Sequence, residues 1–158
     1  MKNIFILTGE IKTGKTTRLM QWATNKTSID GIFQPVIDGR RFIYHISSKT
    51  LKPLETMQTE NIISIGKYKF SIQTFEWAQE ILREAFNNQN KWIIIDEVGP
   101  LELKGTGLEP EFHKLISEKV NPSVKLILVI RDSILNDVIK FYNLEGKFQI
   151  IENLEGLY

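Results

Sequence analysis

Residues 9–16, Gly9-Glu10-Ile11-Lys12-Thr13-Gly14-Lys15-Thr16, directly follow the apolar run Asn3-Ile4-Phe5-Ile6-Leu7. The spacing is GxxxxGKT, set where a strand should hand over to a helix. Two glycines let the backbone wrap closely enough for successive N–H groups to face the α- and β-phosphates of a nucleotide. Lys15 has the reach for the β- and γ-phosphates, and the Thr16 hydroxyl suits a divalent cation such as Mg²⁺. Thr17 is placed to support the α-phosphate, and the helix N-terminus behind the loop favours anions. Residues Gly9, Glu10, Ile11, Lys12, Thr13, Gly14, Lys15, Thr16 and Thr17 together form the expected triphosphate cradle.

A second constellation is Trp92-Ile93-Ile94-Ile95-Asp96-Glu97, four apolar residues ending in two acids. An Asp at the end of a buried strand in such proteins holds Mg²⁺, so Asp96 joins Thr16 as an expected metal residue. Glu97 points differently and is the candidate to orient or deprotonate an attacking water. Asp96 and Gly99 also satisfy a DxxG pattern. The guanine-reading NKxD that should accompany it is missing, since Asn25-Lys26-Thr27-Ser28 and Asn90-Lys91-Trp92-Ile93 both fail at the last position. Val124 to Ile130 would fill a slot between the loop strand and the Asp-Glu strand, delivering Arg131 to the same rim. There Arg131 could meet γ-phosphate charge or simply pair with Glu97 or Asp132.

The elements that must position these groups follow from hydrophobic patterning. Ile4 to Leu7, Trp92 to Ile95 and Leu126 to Ile130 are apolar without alternation, as in parallel strands covered on both faces. Helices are expected over Lys15 to Lys26, over Ser71 to Phe86 with a stripe of Phe75, Ala78, Leu82 and Ala85, and from Pro110 to before Pro122. A last helix should start at Asp132 or Ser133, either serving as its cap, and a final strand should cover Phe148 to Ile151. Asp38-Gly39 between residues 32–37 and 40–46 predicts a tight hairpin. Ser47 to Asn61 reads as a long polar loop. The fold class is α/β with a mostly parallel central sheet, helices on both faces and an inserted β-hairpin.

A length of 158 residues suits one domain, 1–158. The absence of cysteine removes disulfides, Cys-ligated zinc and thiol catalysis. A net charge of +1 provides no global field for nucleic acid or an anionic membrane, so nucleic acid is not an expected partner. No segment has the length of a membrane span, which makes the cytoplasm the default location.

On these residues the chain resembles the small nucleoside-triphosphatase family of thermophile-type P-loop phosphohydrolases, which includes the cancer-related nucleoside triphosphatase. The strongest matches are Thr8-Gly9 through Thr17 and Ile94 to Leu103, similar to the family's DEIG-(K/P)-M-E-L signature. Gly31-Ile32-Phe33, Gly66-Lys67-Tyr68 and Arg41, which looks like the arginine of a GxR stretch, match more weakly. The resemblance implies a three-layer P-loop domain of the RecA-like branch that hydrolyses nucleoside triphosphates to the diphosphate with Mg²⁺ and loose base preference. The loop interior Glu10-Ile11-Lys12-Thr13 departs from a pattern nearer Pro-Pro-Gly-Val.

Two other functions use the same clamp. A small-molecule P-loop kinase would replace water by a hydroxyl acceptor, but residues 136–158 contain no arginine for a late lid. A nucleotide-dependent switch or partner module would need no catalytic glutamate. His45 and His113 are too isolated for a metal site. Trp22 reads as packing. Trp92 and Tyr68 could stack on a base, although aromatic residues are more commonly core.

Overall fold

The computed structural model describes residues 3–9, 14–117, 123–155 and 157. In chain order the elements are β1 (Ile4–Gly9), α1 (Lys15–Thr24), β2 (Ile29–Phe33), β3 (Val36–Ile37), β4 (Arg40–His45), β5 (Thr50–Pro53), β6 (Ile62–Ile65) and β7 (Tyr68–Ser71). They continue as α2 (Ile72–Asn87), β8 (Trp92–Ile95), α3 (Pro100–Leu103), α4 (Glu111–Ser117), β9 (Lys125–Arg131), α5 (Asp132–Phe141) and β10 (Phe148–Ile151). The main sheet runs β10-β1-β9-β8-β2-β4-β3, with β5 paired to the other side of β4. Strands β10, β1, β9, β8 and β2 are mutually parallel, whereas β3, β4 and β5 join by antiparallel pairing. β9 lies between β1 and β8, as expected for the RecA-like branch.

The unbroken apolar runs are explained by burial on two sides. Ile4, Ile6, Ile93, Ile95, Leu126, Leu128 and Ile130 face a large core completed by α2, α3, α4 and α5. Phe5, Leu7, Trp92, Ile94, Ile127 and Val129 face a smaller one completed by Leu19 and Ala23 of α1. The result is three layers, with four helices on one face and α1 on the other. The stripe of α2 is buried as its spacing requires, and Ser71 caps the helix by accepting from the Thr74 N–H at 3.2 Å. Such a cap stabilises by about 1 kcal/mol. Trp22 and Trp92 meet edge-to-face at 5.1 Å, and the Phe5 ring lies 6.0 Å from Trp92, so Trp92 is core and unavailable to a base.

Asp38-Gly39 does turn the chain between β3 and β4, both residues in the left-handed region at φ 51° and 76°. The expected continuous strand over residues 32–37 breaks at Gln34-Pro35, which separates β2 from β3. Two further expectations are corrected. Residues 47–61 are not one loop, because β5 within them pairs with β4. Neither Asp132 nor Ser133 caps α5: Arg131 is the cap residue, and the Asp132 carboxylate instead accepts from Thr8 Oγ1 at 2.8 Å. A second hairpin, β6–β7, turns at Gly66-Lys67. Helix α4 begins at Glu111, one residue after Pro110, and its expected end before Pro122 lies outside the described residues.

β2 sits against β8 because of a glycine. A Cβ on Gly31 would lie 2.1 Å from the Ile94 carbonyl oxygen, and its φ of +127° disfavours any side chain. Close approach here fixes the distance between the β8 end, which carries Asp96, and the β2 end, which carries Gln34.

Candidate active site

The parallel strands deliver the chemical groups to one rim, outside the carboxyl ends of the strands. Gly9 ends β1 directly opposite Arg131 at the end of β9. Gly14 precedes α1 in a left-handed conformation, φ 78°, and its carbonyl accepts from the Arg18 N–H at 3.0 Å. Among the described residues nothing lies within 4 Å of where its Cβ would be, and its left-handed backbone is the shape that glycine adopts most readily. Lys15 opens the helix and is buried, Thr16 follows it, and Thr17 is exposed on the same first turn. Glu10, Ile11, Lys12 and Thr13 lie outside the described residues.

Thr16 and Asp96 come together across the rim. Thr16 Oγ1 donates to Asp96 Oδ2 at 2.8 Å, and the Gln34 N–H donates to the same oxygen at 2.9 Å. The Gln34 side chain also donates from Nε2 to the Asp96 carbonyl at 3.1 Å. Asp96 Oδ1 is fully buried and has no hydrogen-bond partner among the described residues. Burial pushes this carboxyl up to about 6; Glu97 pushes the same way, while the Gln34 N–H, the Thr16 hydroxyl and Arg41 pull it down. A desolvated carboxylate oxygen without a donor is costly, and a cation is one of the few partners able to offset that cost.

Glu97 occupies the left-handed region at φ 63°, a conformation uncommon for a side-chain-bearing residue. The turn lets the Val98 N–H reach the Val129 carbonyl at 3.0 Å. Two arginines face the carboxylate: Arg131 Nε is 3.5 Å from Oε2, and Arg41 Nη1 is 3.9 Å from Oε1. The pairing of Arg131 with Glu97 is one of the two roles its sequence position allowed.

Glu102 supports the segment behind this pair. It is buried, and its Oε1 accepts from the Gly99 N–H at 2.7 Å while its Oε2 accepts from the Leu108 N–H at 3.0 Å. Burial raises its carboxyl to about 7. Because Gly99 gives its N–H to Glu102, the γ-phosphate contact of a DxxG switch has no donor there, which agrees with the missing guanine motif. Gln34 and the Glu102 hydrogen bonds were not foreseen as parts of the site. A polar Gln directly after the apolar Ile32-Phe33 was the signal available for the first.

The histidines lie apart from these residues. His45 Nε2 pairs with Asp30 at 3.0 Å and its ring stands edge-on to Trp77, fastening β4 to β2. His113 is exposed on α4.

A parallel α/β sheet with β9 beside β1, a glycine-lysine-threonine helix start and an Asp-Glu strand end define the P-loop class. The NTPase family matches over residues 4–153. The chain belongs to the NTPase family and, with it, to the nucleoside-triphosphatases, which are hydrolases. It is 30% identical over 133 residues to nucleoside-triphosphatase THEP1 of Saccharolobus solfataricus, covering 78% of this chain and 73% of that protein. It is likewise 30% identical over 145 residues to nucleoside-triphosphatase THEP1 of Methanothermobacter thermautotrophicus, covering 85% and 80%. In fold it is similar to the crystal structure of THEP1 from Aquifex aeolicus, with TM-score 0.74 at 23% identity over 94% of this chain and 88% of that one. It is similar also to the solution structure of a human cancer-related nucleoside triphosphatase, with TM-score 0.71 at 19% identity over 99% and 90%. No helix among the described residues is long and apolar enough to cross a membrane.

Proposed function

We propose that this protein is an Mg²⁺-dependent phosphohydrolase that converts a nucleoside triphosphate and water to the diphosphate and phosphate, with loose base preference, in the cytoplasm. The observation that carries the reading is the division of labour between adjacent acids: Asp96 is hydrogen-bonded to the helix-start Thr16, while Glu97 faces two arginines.

The donors present fit the cation. Among the described residues no cluster of three or more His, Asp or Glu forms a cage, which suits Mg²⁺, an ion that takes one or two protein ligands and completes its shell with water and phosphate oxygens. Asp96, with its unpartnered Oδ1, and the Thr16 hydroxyl would hold it. When bound, Mg²⁺ neutralises charge on the β- and γ-phosphate oxygens. Lys15 and the loop amides grip the triphosphate, and Glu97 orients a water in line with the γ-phosphorus. The water oxygen bonds to that phosphorus as the β–γ bridging P–O bond breaks. The diphosphate leaves with the electron pair, and the water proton passes to the Glu97 carboxylate. Arg131, beside Glu97, stabilises charge on the transferring group. The lack of a guanine motif supports loose base preference.

The test is phosphate release from ATP, GTP, CTP and UTP, with and without chelator. Lys15→Ala should lose both binding and turnover. Glu97→Gln should keep nucleotide but lower kcat by about two to four orders of magnitude, the usual scale for a general base. Wild-type turnover by Glu97→Gln refutes the mechanism, and turnover indifferent to chelator refutes the Mg²⁺ requirement.

A further inference from the structure

Arg41 comes from a part of the chain remote from the phosphate loop, the antiparallel strand β4 added at the end of the parallel sheet. Its backbone is held tightly. The Arg41 N–H donates to Glu55 Oε1 at 3.0 Å, and its carbonyl accepts from the N–H groups of Leu54 and Glu55 at 3.0 and 3.2 Å. Its neighbour Arg40 reinforces this by donating from Nε and Nη2 to the Glu55 carbonyl. β4 runs antiparallel to β2, with Ile32 opposite His45 and Phe33 opposite Tyr44. Its first residues therefore extend past the carboxyl end of β2 onto the rim that carries Asp96.

The guanidinium, by contrast, is held loosely. Charge-assisted N–H···O contacts settle near 2.7–2.9 Å when optimised, whereas Arg41 and Arg131 stand 3.9 and 3.5 Å from Glu97. Two guanidiniums share one carboxylate, so the three groups carry an excess positive charge. Asp96 Oδ2 is already committed to Thr16 and Gln34. A rigid backbone, a long and partly exposed side chain, and an ion pair too open to be strong describe a cation that can change partners.

We propose that Arg41 is the γ-phosphate sensor of this site: it rests on Glu97 while no triphosphate is bound and moves to a γ-phosphate oxygen when one arrives, releasing Glu97 to the water. The ligand class is thus the terminal phosphate of a triphosphate as opposed to a diphosphate, and the inference rests on the phosphohydrolase reading above. The exchange makes Glu97 and phosphate competitors for one guanidinium.

Calorimetric titration with a non-hydrolysable ATP analogue and with ADP, in the presence of Mg²⁺, tests this. Arg41→Ala should reduce the preference for triphosphate over diphosphate by roughly ten- to a hundred-fold, the scale of a charge-assisted hydrogen bond, and should lower kcat. Arg41→Lys, which keeps the charge, should restore part of that preference and serves as the control for folding. Glu97→Gln should tighten analogue binding in the wild-type background and leave it unchanged in the Arg41→Ala background. Equal loss of analogue and ADP binding in Arg41→Ala, or tightening by Glu97→Gln irrespective of residue 41, overturns the proposal. Wild-type hydrolysis by Glu97→Gln sinks the catalytic reading whatever the titrations give. An inactive Glu97→Gln with an unchanged triphosphate preference in Arg41→Ala sinks the sensor alone.

Discussion

Glu102→Gln separates a proton held by the fold from the hydrogen bonds that surround it. In the folded chain Glu102 is 3% exposed, and burial moves its carboxyl from 4.5 to about 7, with Glu109 adding like-charge repulsion and the Gly99 and Leu108 N–H groups partly offsetting both. Between pH 4.5 and 7 the folded protein therefore keeps a proton that the unfolded chain has released. Stability falls as pH rises through that window and levels off above it. At ~1.36 kcal/mol per pH unit, the full fall is about 3 kcal/mol. Glutamine cannot titrate, but it offers one acceptor where the carboxyl offered two, so one of the two N–H groups loses its partner at about 1–3 kcal/mol at every pH. The variant should be less stable than wild type at pH 5 and close to it at pH 8. Urea unfolding midpoints of both proteins at several pH values from 5 to 8 give the comparison. Asp96, whose carboxyl is also raised, contributes equally to both proteins, so the difference between them isolates Glu102. Parallel stability profiles would refute the reasoning.

Gly31→Ala should destabilise by about 2–5 kcal/mol, because the new methyl meets backbone and not a movable side chain; an unchanged urea midpoint would contradict the close approach of β2 to β8. Gln34→Ala keeps the N–H that holds Asp96 Oδ2 but loses the side-chain contact to the Asp96 carbonyl, a change of about 1 kcal/mol in stability. The Mg²⁺ concentration for half-maximal turnover should rise, and an unaltered metal requirement would show that this contact does not position Asp96.

What the sequence made legible, and what it hid, divides by the range of the interactions involved. Ile4 to Leu7, Trp92 to Ile95 and Leu126 to Ile130 were readable because a strand buried on both faces has apolar residues in every position. β5, β6 and β7 were not read as strands, being short and peripheral; neighbouring strands and turns at Lys49, Asn61 and Gly66, all at positive φ, define them. The cap expected at Asp132 failed through competition, since a hydroxyl from β1 took the carboxylate that the helix start would have used. At the site, Lys15, Thr16, Asp96 and Glu97 announced themselves by local motif. Gln34 did not, and Arg41 showed only as a weak family match, because their proximity to β8 depends on β2 lying beside a strand some sixty residues later, as in the pairing of Asp30 with Ile93.

The position of β1 between β9 and β10 has a consequence for the order in which the chain can assemble. The phosphate-loop strand is made long before its partners in the sheet: Ile4 pairs with Leu126 on one edge and Phe148 on the other. The hairpins of β3–β5 and β6–β7 close over short loops and can form while translation continues, since local contacts carry the smallest entropic cost of closure. β1 has to wait, exposed, until Ile151 is available. A ribosome stalled before β9 thus carries a glycine-lysine-threonine loop without a nucleotide rim. On the proposed function, affinity for triphosphate should arise only once β9 is in place, which would make it a reporter of completed folding.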